Sequence, residues 1–520
     1  MLTRLDDLLH HGDPDRPALT FRDETLTYAE LSRRVAAAAT GLRRLGLCRG
    51  ERVLVCLEKR IETVVAMLAA AAADGVFVPV NPVATAPQVG YVAADCAARV
   101  VVTTAERYQV LCAELPRAAA LEHVVLVGAV DDDELALLSG RWRVTRWAQL
   151  CGGPTGDATG GVIDVDPAAI FYTSGSTGGP KGVVLSHRNL LAGAESVASY
   201  LGHTRDDVVL SVLPLSFDAG FSQLTTALVA GAHLVLVNYL LPREVVRLCA
   251  RHAVTALTGV PPLWLQLTAQ DWPPEATRHL RYFANTGGHL PLTTLTRLRQ
   301  LFPAARPFLM YGLTEAFRST YLDPAQVDRR PDSIGKAIPN AEVLVVRPDG
   351  SPCDPGEHGE IVHRGALVAQ GYWNDPVRTA ERFRPFPPSG GPRAEIAVWS
   401  GDLAYRDDEG FLYFVGRTDD MIKTSGYRVS PTEIEEAAYA TGLVGEAAAF
   451  GVPDERLGQH VILAVTGVNG GACDTETLGK ALERDLPRYM LPRRIVVHTR
   501  LPRSGNGKFD RTKLRQSVLS

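Results

Sequence analysis

At 520 residues the chain is too long for one hydrophobic core, and at roughly 100 to 200 residues per domain it predicts about three folding units. With 46% hydrophobic and 22% charged residues, and Gly and Pro spread throughout, it is not a disordered chain. A net charge of -4 without any Lys/Arg-rich run excludes the basic field that nucleic-acid binding requires, so no nucleic acid is expected as a partner.

The N-terminal stretch MLTRLDDLLHHGDPDRP carries acidic residues where a signal peptide needs an unbroken apolar run, which predicts a cytoplasmic protein. From Leu26 the pattern alternates: an amphipathic helix over Tyr28 to Leu45, a β-branched run at Arg52 to Leu57, an Ala-rich helix, then a short strand at Val76 to Val80. Asp74 and Gly75 stop the apolar run Val64 to Ala73 after about ten residues, half of what a bilayer crossing needs, so it reads as a buried helix and no membrane span is expected. The same rhythm returns at Val100 to Thr103, at Val124 to Val127 and between Val208 and Val237, predicting buried, mostly parallel strands. CGGPTGDATGG, Cys151 to Gly161, reads as a surface loop within one large domain. The eight cysteines form no CxxC pair or Cys/His cluster and suit reduced thiols.

Ala168 to Tyr172 reads as a buried strand running into Thr173-Ser174-Gly175-Ser176-Thr177-Gly178-Gly179-Pro180-Lys181-Gly182, followed by a helical SHRNLLAGAESV. Glycines let backbone N–H groups approach a polyphosphate, hydroxyls add donors and Lys181 adds positive charge. Pro180 stands where a Walker loop needs Gly, and no Ser or Thr follows the lysine, so a P-loop kinase or GTPase is disfavoured. A flexible Ser/Gly linker is the plain alternative. After about Glu342 the texture becomes short β segments, Val343 to Val346, Glu360 to His363 and Leu412 to Val415, broken by PDG, DPGEHG and DDEG turns. From about Thr418 mixed α/β returns, with a helix at Pro431 to Ala440 and a strand at Val461 to Val465.

FYTSGSTGGPKGVVLSH resembles the signature loop of the AMP-forming superfamily of acyl-CoA synthetases, non-ribosomal peptide adenylation domains and luciferases. MYGLTEA (Met310 to Ala316), GEIVHRGALVAQGYWN (Gly359 to Asn374), WSGDLAYRDDEGFLYFVGRTDDMIKTSGYRVSPTEIE (Trp399 to Glu435) and LPRSGNGKFDR (Leu501 to Arg511) follow in the same order. The resemblance implies an α/β fold: a large N-terminal domain of two α/β subdomains plus a small β-rich subdomain, then a small mobile α+β C-terminal domain. The corresponding expectation is an adenylation core at 1–417, with its β-rich part at about 342–417, and a C-terminal lid at 418–520.

ATP and Mg²⁺ are the implied cofactors. Thr173, Ser174, Gly175, Ser176, Thr177 and Lys181 would hold phosphates, Tyr311 and Gly312 the adenine, and Asp402 the ribose hydroxyls, with Arg417 beside ribose or phosphate. Thr314 and Glu315 would meet the α-phosphate and magnesium, whose hard character suits oxygen ligands. Lys508 would bridge the reacting carboxylate and phosphate, where charge accumulates in the transition state. Asp419, in GRTDD, would be the hinge of the C-terminal domain; Lys423 and Arg428 would act in the alternate pose, with Gly426 lining the thiol channel. Taken alone, each has a bland alternative: a helix-start Glu, a packing Tyr, a turn-capping Asp, an exposed Lys.

The acid is addressed by Phe217-Asp218. Ligases for fatty or aryl acids usually carry a His after an aromatic residue here, whereas this pattern resembles amino-acid-activating domains. Asp218 would pair with a substrate ammonium, because a carboxylate on an apolar wall is costly without a cation; a surface or N-cap Asp is the alternative. The same correspondence adds Ala219, Ser222, Gly259, Asn285, Gly287, Met310, Arg318 and Ser319. Arg318 either faces a second substrate carboxylate, as in aspartate or another acidic or β-amino acid, or turns to a neighbouring acidic side chain. A small neutral amino acid such as alanine, and a fatty or aryl acid for an acyl-CoA ligase, stay open. Ala316 to Arg347 also resembles acyl-CoA ligases of exosortase-associated clusters and free-standing ligases that load amino acids for macrolactam assembly. The acceptor is expected in trans: the phosphopantetheine arm of a carrier protein, or coenzyme A.

Overall fold

The computed structural model describes residues 2–138, 140–153, 161–173, 180–387, 394–417, 420–424, 427–454, 457–505 and 507–519, without the side chains of Lys423, Tyr427, Arg428 and Asn469. Among them the strands form four sheets: a large N-terminal domain holds sheets of nine, eight and five strands, and a small C-terminal α+β domain holds one of five. The α/β alternation of the sequence becomes two mostly parallel sheets. In the nine-stranded sheet, Arg306–Tyr311, Tyr282–Asn285, Ala256–Gly259, Val208–Ser211, His233–Leu236 and Pro17–Phe21 lie side by side and parallel. In the eight-stranded sheet, Pro167–Thr173, Val76–Pro79, Arg52–Val55, Ala98–Thr104, His123–Val127 and Arg143–Arg146 run parallel.

Local signals explain the elements. The Tyr28–Arg44 helix starts at a capping box: Thr27 Oγ1 accepts from Glu30 N–H at 3.2 Å, and Glu30 Oε2 accepts from Thr27 N–H at 2.9 Å. The Ala-rich run forms the Ile61–Ala72 helix, buried on every side except at Glu62. Its all-round burial is what an apolar helix without an amphipathic stripe requires. No helix among the described residues is long and apolar enough to cross a membrane.

One sequence expectation is corrected. The phosphate loop does not lead from strand to helix: Lys181–Ser186 is itself a strand, pairing antiparallel with Pro167–Thr173, and the His187–Leu201 helix begins only after it, capped by Ser186. The Val183-Val184-Leu185 run is buried between neighbours and prefers the pleated surface to a helical one. Gly182 is required there, because a Cβ would come within 2.6 Å of Ile170 Cγ2. The Gly371–Tyr372 strand extends this hairpin.

Packing ties the hairpin to the Asp218–Val229 helix. Phe77 and Phe171 from the eight-stranded sheet meet Phe221 of the Asp218–Val229 helix, with centroids 5.0 to 6.1 Å apart, in one fully buried cluster. The β-rich sheet of Ala341–Val346, Gly359–Gly365, Glu395–Arg406, Phe383–Phe386 and Leu412–Arg417 is antiparallel. The C-terminal domain pairs Val444–Asp454 with Gly458–Gly467, with the helices Pro431–Ala440 and Thr475–Asp485 on one face and Arg511–Leu519 on the other.

Candidate active site

Asp218, Gly287 and Glu315 follow the C-terminal ends of three parallel strands, Val208–Ser211, Tyr282–Asn285 and Arg306–Tyr311, the end at which open α/β sheets bind ligands. Lys181 Nζ lies 2.9 Å from Glu315 Oε1 and 2.6 Å from the Tyr372 hydroxyl, which donates to the same Glu315 oxygen at 2.7 Å. Burial opposes ionisation of Glu315, but the Lys181 charge and the Tyr372 and Lys181 hydrogen bonds hold its carboxyl below the usual range. A buried carboxylate kept anionic is a suitable hard ligand for Mg²⁺. Among the described residues it belongs to no cluster of three acidic, His or Cys side chains. Thr173 ends the first hairpin strand with its buried Oγ1 unpartnered among the described residues.

Tyr311 donates its hydroxyl to Asp402 Oδ2 at 2.6 Å. Arg417, opposite Asp402 in the antiparallel register, sets Nε 3.0 Å from Oδ1 as an ion pair without hydrogen-bond alignment. Burial raises the Asp402 carboxyl, against Arg417, Tyr311 and Lys508. Asp402 Oδ1 therefore retains acceptor capacity, which a ribose hydroxyl suits.

Lys508 comes from the C-terminal domain and reaches the same cleft. Its turn is closed by Ser504 N–H donating to Lys508 O at 2.8 Å, with Gly507 at φ +80°. Lys508 Cε lies 3.5 Å from where a Cβ on Gly287 would stand. The side chain keeps contact with solvent, yet the surrounding protein lowers its pKa, with Asp218 opposing and Arg417 adding to the fall. Among the described residues the contacts between the C-terminal domain and the rest include Asn81 Nδ2 donating to Gly505 O at 2.7 Å, and His289 Nε2 lying 2.6 Å from Glu436 Oε1.

Asp218 is the first residue of its helix, where the helix dipole favours an anion. Gly220 lets that helix start against the preceding turn, since a Cβ would stand 2.0 Å from Pro214 O. Arg318 donates from Nη1 to Asp218 Oδ2 at 2.9 Å and from Nη2 to Asp218 O at 3.3 Å, and Thr314 Oγ1 lies 3.3 Å from Oδ1. Of the two orientations the sequence left open for Arg318, the structure has the turn towards a neighbouring acid. Its aim is set by backbone strain: Phe317, at φ 54° and ψ -49°, forms the centre of a γ-turn closed by Arg318 N–H donating to Ala316 O at 2.5 Å. Gly312 backs onto Arg318, where a Cβ would stand 3.3 Å from its Cα. Met310 is buried beside Tyr200, whose hydroxyl lies 3.0 Å from Met310 Sδ.

Ser174, Gly175, Ser176, Thr177, Asp419 and Gly426 lie outside the described residues, as do the side chains of Lys423 and Arg428, whose backbones pair across a short hairpin. Sequence reasoning misses two residues. Tyr372 stands inside the GYWN motif, where its residue type alone does not set it apart from its aromatic neighbour. Lys59 has no signal: it is 7% exposed and donates to Ser211 O at 2.7 Å and Leu213 O at 3.1 Å, under the turn that leads to Asp218.

Residues 10–373 match the AMP-binding enzyme family, and residues 433–508 match the AMP-binding enzyme C-terminal domain. A linear gramicidin synthase of Brevibacillus parabrevis is 32% identical over 511 residues, which are 96% of this chain but only 6% of that much longer protein. An L-proline--[L-prolyl-carrier protein] ligase of Streptomyces coelicolor is 33% identical over 516 residues, 96% of this chain and 93% of that one. The crystal structure of ATP-bound MatB from Rhodopseudomonas palustris superposes with a TM-score of 0.86 at 28% identity, covering 99% of this chain and 98% of the other.

Proposed function

The chain belongs to the AMP-binding enzyme family, and from that premise we propose that it uses ATP to convert an amino acid bearing a second carboxylate into its acyl-AMP. It then passes the acyl group, in the cytoplasm, to the phosphopantetheine thiol of a separate carrier protein. The observation behind the acid assignment is the Asp218–Arg318 pair, whose side chains are 18% and 5% exposed. An ammonium arriving at Asp218 takes away the counter-charge of Arg318, and a guanidinium this buried is costly unpaired. A second substrate carboxylate restores the balance, while Lys508 meets the reacting one. A neutral amino acid leaves a surplus buried cation. A simple acid without an ammonium leaves the pair undisturbed, and the closed pair favours it as the second reading.

In the first step a substrate carboxylate oxygen attacks the α-phosphorus and pyrophosphate leaves. Two anions come into contact, and Lys508 and Lys181 supply charge fixed in advance. Asp402 and Tyr311 hold the nucleoside. Glu315 would hold a magnesium ion, which when bound would supply positive charge against the polyphosphate. In the second step the thiol attacks the acyl carbon and AMP leaves; we propose Asp419 as the pivot that moves Lys508 away, with Lys423, Arg428 and Gly426 brought to the thiol path. The carrier-protein acceptor is supported by the full-length match to a prolyl-carrier ligase.

Pyrophosphate exchange tests the acid over three groups: aspartate-like α- and β-amino acids, neutral amino acids, and simple alkyl or aryl acids. Exchange with the first group alone is expected. Exchange with simple acids alone overturns the amino-acid assignment, and preference for neutral amino acids overturns the charge balance. Thioester formation on a pantetheinylated carrier against coenzyme A tests the acceptor.

A further inference from the structure

We propose that Asn81 is a positioning residue for Lys508: its side-chain amide grips the turn that carries the lysine and so sets where the ammonium stands in the acid-activating step. The inference rests on the reading of Lys508 given above. Asn81 follows the Val76–Pro79 strand, which is buried on both faces between the Arg52–Val55 and Pro167–Thr173 strands. Val80 N–H still donates to Val55 O at 2.9 Å, so the backbone is anchored one residue before it. The side chain is fixed by its own turn: Asn81 Oδ1 accepts from Val83 N–H at 3.1 Å, and Asn81 O accepts from Ala84 N–H at 2.9 Å. With the oxygen committed to an N–H, the Nδ2 end is the one left to donate, and it donates to Gly505 O at 2.7 Å.

Gly505 belongs to the same closed turn as Lys508, in which Ser504 N–H donates to Lys508 O at 2.8 Å and Gly507 N–H to Ser504 O at 2.9 Å. Neighbours on the core touch that turn through carbon: a Cβ on Gly505 would stand 3.9 Å from Phe217 Cζ, and one on Gly507 would stand 3.7 Å from Val260 Cγ2. Apolar contacts have no direction, and a turn can slide along them. A hydrogen bond has one. The Asn81 bond therefore fixes the turn against the core just before Lys508, whose Cε lies 3.5 Å from where a Cβ on Gly287 would stand. A charge-stabilising group works only where it is placed in advance, and a misplacement of about 1 Å can cost roughly 10²-fold. Because the bond joins the two domains, the rotation proposed for the thioester step breaks it, and Asn81 serves the first step alone.

Asn81→Ser keeps an acceptor for Val83 N–H and adds no charge, but is too short to reach Gly505 O. With the acid of the three groups above that gives the wild type its strongest pyrophosphate exchange, kcat for exchange should fall roughly 3-fold to 10-fold, the range for one hydrogen bond, while KM for ATP and for the acid hold. Transfer of the acyl group from added acyl-AMP to the thiol should keep its wild-type rate. In a Lys508→Ala background the same substitution should change nothing further, because residues that act as a unit are not additive. Unchanged exchange in Asn81→Ser, an equal loss in both steps, or the same factor with and without Lys508 overturns the Asn81 assignment and leaves Lys508 in its role. If Lys508→Ala itself leaves exchange at the wild-type level, the Lys508 reading falls first and takes the Asn81 assignment with it.

Discussion

The proposed nucleotide side and the proposed acid side of the cleft are built from different kinds of interaction. On the proposed nucleotide side Lys181, Glu315 and Tyr372 form one closed set and Tyr311, Asp402 and Arg417 another, and all but Tyr372 come from a short motif whose chemistry is visible in its residue types. On the acid side the decisive contact joins Asp218 to Arg318, one hundred positions apart and each ambiguous alone. A residue that meets ATP can be read by itself, because the ligand supplies its partner. A residue that meets the variable acid takes its meaning from another side chain, and only the fold brings the two together.

The largest expected effect separates the sides through stability. Removing one partner of a buried ion pair costs about 3–5 kcal/mol, because the other charge is left uncompensated. Asp218→Ala should therefore destabilise the protein, and more than Arg318→Ala, since the guanidinium is the more deeply buried of the two. The double variant should lose less than the sum of the singles, giving a coupling measurable by chemical denaturation. Additive losses would mean that the pair is not coupled and that the acid side has no charge balance to satisfy.

Lys508→Ala comes next, expected to slow adenylation by roughly 10² to 10³, as loss of other fixed charge-stabilising donors does. Stability should be almost untouched, because the side chain lies at the cleft and retains solvent contact. Unchanged pyrophosphate exchange would remove it from the chemistry. Tyr372→Phe is the milder probe of the nucleotide side. It strips a hydrogen bond from Glu315 without touching the carboxylate, and the Mg²⁺ concentration needed for half-maximal exchange should rise about 10-fold. No shift would show that Glu315 does not serve the metal.

The sequence carried most of the architecture, for reasons that differ between segments. Short apolar runs sufficed for Arg52–Val55 and Val76–Pro79, which are buried on both faces of the sheet, and helical spacing of apolar residues for the Pro431–Ala440 helix. Between the loop and the expected helix, the plain Val183-Val184-Leu185 run was left unassigned, and it forms the Lys181–Ser186 strand. The nucleotide residues were legible from motif order. Arg318 could be named but not oriented, because its aim depends on the strained turn at Phe317 and on a carboxylate from a distant helix. Lys59 was invisible, since a lysine between Glu58 and Arg60 reads as a surface charge.

That lysine gives the smallest expected effect and probes the scaffold of the acid side. Its amine is buried against the Ser211 and Leu213 carbonyls, and burial lowers its pKa from 10.5 to about 7. Between those values the unfolded chain holds a proton that the folded protein lacks, so stability rises as pH climbs from about 7 to 10.5. The slope should be on the order of 1 kcal/mol per pH unit. Lys59→Met fills the same space without a titrating group and should flatten the curve by that amount. Its KM for the acid should also rise while KM for ATP holds, because the turn under Asp218 loses its two hydrogen bonds and the nucleotide contacts do not. Parallel stability curves for variant and wild type would show Lys59 to be charged in the folded protein, and an equal change in both KM values would make the turn a common support for both sides of the cleft.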